Sequence, residues 1–539
     1  MKTNGDGTQT HFQYLIIGSG PAGLQLAYHL HKAGRDYVVL EAGETPGNFF
    51  TKFPRHRKLI SINKVYTGQE DPEFNMRMDW NSLLSDSEEM LFKNYSKRYF
   101  PDADVMVRYL SDFAEHYDLN VKCGVKIVNV KKDDKFRLTD ADGNAYSCDR
   151  LIVATGLSPY VPQIPGIELA EQYTEMTVDP DDFTNQRVLV LGKGNSGFET
   201  ADNLVETTAT IHVASPSPLK LAWKSHFVGH LRAVNNNVLE TYLLKSQNGL
   251  IDGQVEEIKR REDGKYEVTF LYTRALEESR GTFVYDRVLA CTGWRFDGSF
   301  LDESLQPALC INDRFPQLTS EWESVNIKDL YFAGALMQSR DFKKTMSAFI
   351  HGFRFNVQAL GLIFEKKYHG QEWPSHVFDA TAEDLRQVII GRLNRSASLW
   401  QQPGYFCDLI VVSDGGTRAR LYENMPVDYV RDSEFGQESD YYMLTLEYGP
   451  DYPDYPLEFV RYISHDEAHL NPQLHPIIRR FNGQTQVAEH HVMEDLEGNW
   501  SRDLYSAPLS KFLAAQTQQS PNEPAPLPAQ PRGAAEQVS

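Results

Sequence analysis

Gly18-Ser19-Gly20-Pro21-Ala22-Gly23 has the residue types and spacing of a turn that can bring a peptide backbone against a pyrophosphate. Glycines there remove the Cβ atoms that would block a tight turn and a close phosphate, and a helix starting at the turn aims unpaired N–H groups at the anion. Further along, Glu41 stands where a carboxylate can accept hydrogen bonds from ribose hydroxyls. A second turn, Gly192-Lys193-Gly194-Asn195-Ser196-Gly197, repeats the pattern. The strand after it ends in Ala214-Ser215 without an acid, and Lys220 and Lys224 follow. A hydroxyl and two ammonium groups suit a 2′-phosphate, which points to NADPH rather than NADH at this turn.

Such turns work only between a strand and a helix, and the flanking residues predict both. Tyr14–Ile17 reads as a strand, Ala22, Leu26, Leu30 and Ala33 recur at near-helical spacing, and Tyr37–Leu40 reads as the next strand. Around the second turn the same roles fall to 188–191, 196–205 and 210–213. Two further segments, 142–156 and 285–297, each read as a strand running into a Thr-Gly turn. The first ends in Ala154-Thr155-Gly156, and LYFAG, with Gly334, opens another strand–turn–helix passage whose backbone N–H groups suit a flavin. Two cradles with these accessories predict a flavoprotein that binds FAD at the first and NADPH at the second.

The predicted fold is α/β, with two dinucleotide-binding, Rossmann-like domains and a C-terminal α+β appendage. The expected boundaries are 1–165 for the first part of the FAD-binding domain, 166–284 for the NADPH-binding domain, 285–370 for the second part of the FAD-binding domain, 371–515 for the appendage and 516–539 for a disordered tail rich in Pro, Ala and Gln. In the appendage, 409–412, a turn at 413–416 and 441–448 read as strands and a connection. His465, His469, His475, His490 and His491 are interrupted by Pro472 and Pro476 and show no tight ligand spacing, so no metal is expected.

Composition narrows the function classes. A formal net charge of -20 repels phosphate backbones and anionic bilayers, so neither nucleic acid nor membrane is an expected partner. The polar N-terminus and strand-length first apolar run predict a cytoplasmic protein without a membrane span. Five scattered cysteines fit reduced, buried thiols better than a dithiol relay.

GSGPAG with Glu41, the first ATG, GKGNSGFETA and LYFAG together resemble the two-dinucleotide-domain flavoproteins that include class B flavin monooxygenases. Longer strings, among them GNFFTKFPRHRKLISINK, DWNSLLSD, YFPDADVMVRYL, MQSRDFKKTMSAFIHGFRFN and HVMEDLEGNW, are similar to the family of the endoplasmic-reticulum flavoprotein associated with degradation and its bacterial relatives, over about residues 12–513. A signal peptide and a retention tail are not seen here, so a role in degradation is not expected. The monooxygenase fingerprint FxGxxxH is not intact either, with Ile164 and Tyr173 near its Phe and His, which argues against Baeyer–Villiger chemistry.

The resemblance implies an NADPH-dependent FAD monooxygenase that acts on a small soluble molecule with dioxygen, nitrogen before sulfur, through a flavin C4a-hydroperoxide. It runs residues 48–64 near the isoalloxazine, with Asn63 as donor to the flavin–oxygen adduct and His56, Lys58 and Ser61 as polar neighbours; Arg55–Lys58 can equally be a solvated turn or neutralise the flavin phosphates. The alternatives are a reductase or oxidase that passes electrons to a partner, and a flavin-stabilised protein that binds a client. A homodimer is common in such folds.

Overall fold

In the Thr10–Ile17 strand, Tyr14, Leu15 and Ile16 are all fully buried, so successive side chains are covered on both faces. That is the signature of a strand in the middle of a parallel sheet. The computed structural model, which describes residues 10–242, 246–438, 440–450 and 464–518, places it there. Tyr37–Leu40 and Ala145–Val153 flank it in parallel, Val121–Lys122 extends the sheet beyond Tyr37–Leu40, and Leu330–Phe332 pairs parallel to Ala145–Val153. An antiparallel meander through Phe136–Asp140 and Ile127–Lys132 completes seven strands.

A second seven-stranded sheet repeats the plan. Arg187–Leu191 lies between Thr210–Ser215 and Arg287–Ala290, all parallel, and Asn248–Arg260 continues into an antiparallel meander. Alternate residues of its central strand feed two separate cores. Val188 and Val190 pack with Phe198, Ile211 and Val213, while Leu189 and Leu191 pack with Ala214, Val288 and Ala290. The chain crosses between the sheets through a short antiparallel pair, Ser158–Pro159 with Trp294–Arg295.

The chain divides into two compact units. Both sheets lie in the first, residues 1–67 and 78–361; the second takes 68–77 and 362–539. The inclusion of residues 68–77 in the second unit has a clear physical cause. The Arg77 guanidinium donates to the carbonyls of Leu393 (2.7 Å) and Ser396 (3.1 Å) and lies over the Phe74 and Trp400 rings, while Glu73 pairs with Arg392. These partners come from hundreds of residues away, so nothing in the local sequence announces them.

The second unit is built on a six-stranded antiparallel sheet, in the order 375–379, 418–426, 406–413, 441–448, 474–482 and 485–491. Leu385, Ile389 and Leu393 recur every four residues on the Ala382–Arg395 helix. They pack with Ile410, Tyr442, Leu444 and Ile478 of the sheet and with Leu509 and Leu513 of the Asp503–Gln518 helix. Residues 516–518 finish that helix; the rest of the expected tail lies outside the described residues, as does most of the PDYPDYP turn.

Two of the histidines of this unit hydrogen-bond with one another. Buried His475 shares a 2.9 Å hydrogen bond with His491, whose other ring nitrogen meets Glu489 at 2.9 Å. Among the described residues, no three or more His, Cys, Asp or Glu side chains are grouped to hold a metal. No helix among them is long and apolar enough to cross a membrane.

Candidate functional site

At the first cradle, Gly18 has φ +103°, and a Cβ there would come within 2.6 Å of the Ala154 carbonyl oxygen. The turn after Val153 is thus pressed against the glycine, which brings Ala154, Thr155 and Gly156 beside the Pro21–Lys32 helix start. A Cβ on Gly23 would run into the Gly18 carbonyl, whereas one on Gly20 would meet nothing within 4 Å. The space in front of Gly20, at the helix N-terminus, is open to an approaching phosphate. Gly334, with φ +77°, closes the other side, so near Ala22 that a Cβ would approach it to 2.6 Å. Glu41 is buried and accepts hydrogen bonds from the Ser19 N–H (2.7 Å), the Ser19 hydroxyl (2.9 Å) and the Gly43 N–H (2.8 Å). All eight residues expected at the first nucleotide meet here, and the cradle fits FAD.

The second cradle copies the first, with Gly192 at φ +118° facing the Cys291 carbonyl, and open space in front of Gly194. Asn195, expected to touch the nucleotide, has another task. Its amide donates to the carbonyls of Gly229 (3.3 Å) and His230 (2.8 Å) and accepts from the Arg232 N–H (3.0 Å), pinning residues 229–232 to the helix start. Ser215 donates to the Ser217 carbonyl, and Lys220 and Lys224 are exposed. The strand end is not free of acid as its own residues imply, because Asp252 stands opposite Ser215 in the next parallel strand. Lys193 pairs with that carboxylate and Arg274 lies 3.8 Å from it, so the negative charge is neutralised.

The expected catalytic residues do not form one cluster. Asn63 is 2% exposed, and its amide nitrogen donates to the carbonyls of Ser96 (2.7 Å) and Arg98 (3.3 Å). Both of its N–H groups hold the 96–98 loop, which corrects the expectation that it offers a donor to a cavity. Ser61 is half-buried, and its carbonyl accepts from Asn81. His56 reaches across to the other half of the unit, 3.3 Å from the Thr200 hydroxyl. Burial, helped by the Arg55 charge, pushes its imidazole down to about 4, so it is neutral near pH 7.

Three further contacts join the halves. Arg55 donates to the Met176 carbonyl (2.6 Å), the Arg55 N–H donates to the Tyr173 hydroxyl (3.2 Å), and Arg232 donates to the Ile60 carbonyl (3.1 Å). Arg55 and His56 therefore form part of a joint between the two dinucleotide modules, while Arg57 pairs with Asp104 within its own half. Tyr173, at the broken fingerprint position, donates at 3.4 Å to Glu199, whose carboxyl burial raises to about 7. Beside it, Tyr160, Tyr173, Ser196, Cys291 and Trp294 line a cleft at the start of the Asn195–Leu204 helix. Burial raises the Cys291 thiol to about 12, so it is no nucleophile at neutral pH.

His351 is buried against the Trp80 indole at 4.1 Å, and among the described residues neither ring nitrogen has a hydrogen-bond partner. Sequence reasoning missed His351, Glu199, Tyr173 and Arg232 as functional candidates, because each gains its meaning from a remote partner.

Residues 15–334 match the family model described as pyridine nucleotide-disulphide oxidoreductase. The chain is 38% identical to the FAD-dependent oxidoreductase domain-containing protein 2 of Mus musculus, over 94% of this chain and 84% of that one, and 36% identical to its Danio rerio counterpart. The chain belongs to this family. It is an FAD-dependent oxidoreductase with a second cradle for a pyridine nucleotide. More distantly, a flavin-containing monooxygenase of Arabidopsis thaliana is 27% identical over 53% of this chain and 63% of its own length. Among solved structures, the bacillithiol disulfide reductase of Bacillus cereus shares the fold, with a TM-score of 0.51 at 20% identity over 66% of this chain and the whole of that one.

Proposed function

We propose that this family member is an NADPH-dependent monooxygenase that places one oxygen atom of O2 on a small soluble molecule, at nitrogen before sulfur. The observation that carries the reading is the set of contacts that fasten residues 53–60 to the nucleotide-binding half. Arg55, His56 and Arg232 tie the two halves together there, and Phe53, Tyr173 and Trp294 pack ring against ring beside them. An oxygen-transferring site has to keep water away from its reactive species, and apolar rings packed at the joint favour that. Internal disulphide reduction is disfavoured, because the five cysteines are all unpaired and Cys291, the one at the cleft, is held as an unreactive thiol.

FAD, when bound, supplies the two-electron chemistry with nicotinamide and dioxygen. The chain supplies position. The two glycine turns and their helix N-termini would hold the phosphates, Glu41 would accept from the first ribose, and Ser215 with Lys220 and Lys224 would bind the 2′-phosphate. Burial raises the Glu199 carboxyl beside the joint to about 7, so it keeps its proton below neutral pH, and neutral His56 adds no charge to it. The relatedness to a flavin-containing monooxygenase supports the same reading.

The test is stoichiometric. FAD-loaded protein is mixed with NADPH, air and a panel of amines and thioethers, and product, hydrogen peroxide and NADPH oxidised are quantified together. One molecule of N-oxygenated product per NADPH is expected with a fitting substrate; peroxide equal to NADPH with every compound would leave only an oxidase. For the 2′-phosphate, Lys220→Ala should raise KM for NADPH by about 5- to 10-fold and hardly change that for NADH. Equal increases would remove the assignment.

A further inference from the structure

In a chain with a formal net charge of -20, one group of side chains in the first unit is purely cationic. Lys220 belongs to the nucleotide-binding half, where its carbonyl accepts from the Leu231 N–H (3.0 Å). The adjoining His230 packs on Phe227, and Phe227 packs at 6.0 Å on Phe349 of the segment that follows Gly334. On that segment Lys343 lies over the Phe342 ring, and Phe342 packs on Phe315, next to Arg314. Arg314 donates to the Trp294 carbonyl (2.6 and 3.1 Å) and sits over Tyr160, two residues of the cleft at the Asn195–Leu204 helix start.

None of Lys220, Arg314 and Lys343 makes an ion pair among the described residues. The charges that bear on one another here are all of one sign. Lys343 and Lys220 push His230 down, after burial, and Arg314 and Lys220 push Lys343 down, again after burial. Lys343 also holds φ +59°, a left-handed conformation that a lysine adopts only at a cost. Uncompensated like charges cost energy unless something negative joins them. The two cradles leave one natural candidate, since the open space at Gly194 adjoins the same helix start.

We propose that Lys343 and Arg314 reach from beyond the second sheet to complete, with Lys220 and His230, a single site for a phosphate group of the pyridine dinucleotide. The proposal rests on the pyridine-nucleotide reading above and adds to it: the dinucleotide is clamped from both halves of the unit, so its binding tightens the joint between them. The phosphate is either the 2′-phosphate or the bridging diphosphate.

Binding to the full-length, FAD-loaded protein is measured by calorimetry for NADP+, NAD+ and inorganic pyrophosphate, with wild type, Lys343→Ala, Lys343→Arg and Lys220→Ala. Lys343→Ala is expected to weaken NADP+ by about 3- to 10-fold, with a flatter dependence on salt, and Lys343→Arg to restore most of it. If NAD+ weakens equally, the diphosphate is the ligand; if NAD+ is unchanged, the 2′-phosphate is. If Lys343→Ala leaves every affinity unchanged while Lys220→Ala weakens NADP+, the clamp is wrong although the NADPH reading stands. If the wild type binds neither dinucleotide but Lys343→Ala weakens pyrophosphate, the anion site stands and the NADPH reading falls. Failure of all three probes to bind the wild type overturns both.

Discussion

Gly20→Val is expected to give a folded but colourless protein. A side chain at Gly20 meets no atom of the chain within 4 Å, so the substitution strains nothing in the protein itself. Its φ of -69° is also open to any residue. The isopropyl group would instead fill the space in front of the Pro21–Lys32 helix start, where the pyrophosphate has to approach the backbone. Losing that approach should weaken FAD by at least about 100-fold, roughly 3 kcal/mol, so that the purified protein carries no flavin absorbance while its far-ultraviolet dichroism matches the wild type. Gly23→Ala is the contrast. There the added methyl runs into the Gly18 carbonyl and forces the helix off the sheet, so flavin and stability should fall together. A yellow Gly20→Val protein with bound FAD would show that the phosphates lie elsewhere.

The contrast between these two glycines marks what can be read from the chain alone. The cradles are local: strand, turn, helix and next strand follow one another within about thirty residues, and periodicity and glycine spacing reveal them. The residues around the joint are not local. Glu199 is one polar residue on a helix until Tyr173 arrives from the crossover, and Asn63 resembles a free donor until the 96–98 loop takes both of its N–H groups. Register produces the same blindness. Nothing near Ser215 indicates an acid, because Asp252 is placed beside it only by the parallel pairing of strands whose connection runs through some thirty residues.

The second unit shows the other side of this rule. Its hairpin at 406–426 and its strand at 441–448 are legible, since alternation and turn residues are short-range signals. The membership of residues 68–77 is not, because it depends on a buried network. Arg392 pairs with Asp408 at 2.6 Å and with Glu73 and Glu423 at 3.0 Å, and neither of the two buried charges, Arg392 and Asp408, would be expected inside from its own neighbourhood. Buried charges survive only when paired, and the pairing is decided by the fold.

Glu199 allows the joint to be tested through pH. Burial raises its carboxyl from the ordinary 4.5 to about 7, against the Tyr173 hydroxyl and the Lys58 charge, which act the other way. The folded protein thus keeps a proton that the unfolded chain has lost between about pH 4.5 and 7. Stability contributed by the neutral carboxyl is complete below the lower value and is lost as pH rises through the upper one, by at most about 3 kcal/mol. Glu199→Gln keeps the shape and the acceptor for Tyr173 but has no proton to lose. The variant should therefore be close to wild type near pH 5 and more stable by about 2–3 kcal/mol near pH 8, with the gap opening between them in denaturant titrations followed by flavin fluorescence. A gap that is the same at both pH values would mean that Glu199 is ionised throughout, and that Tyr173 donates to a carboxylate instead of meeting a protonated carboxyl.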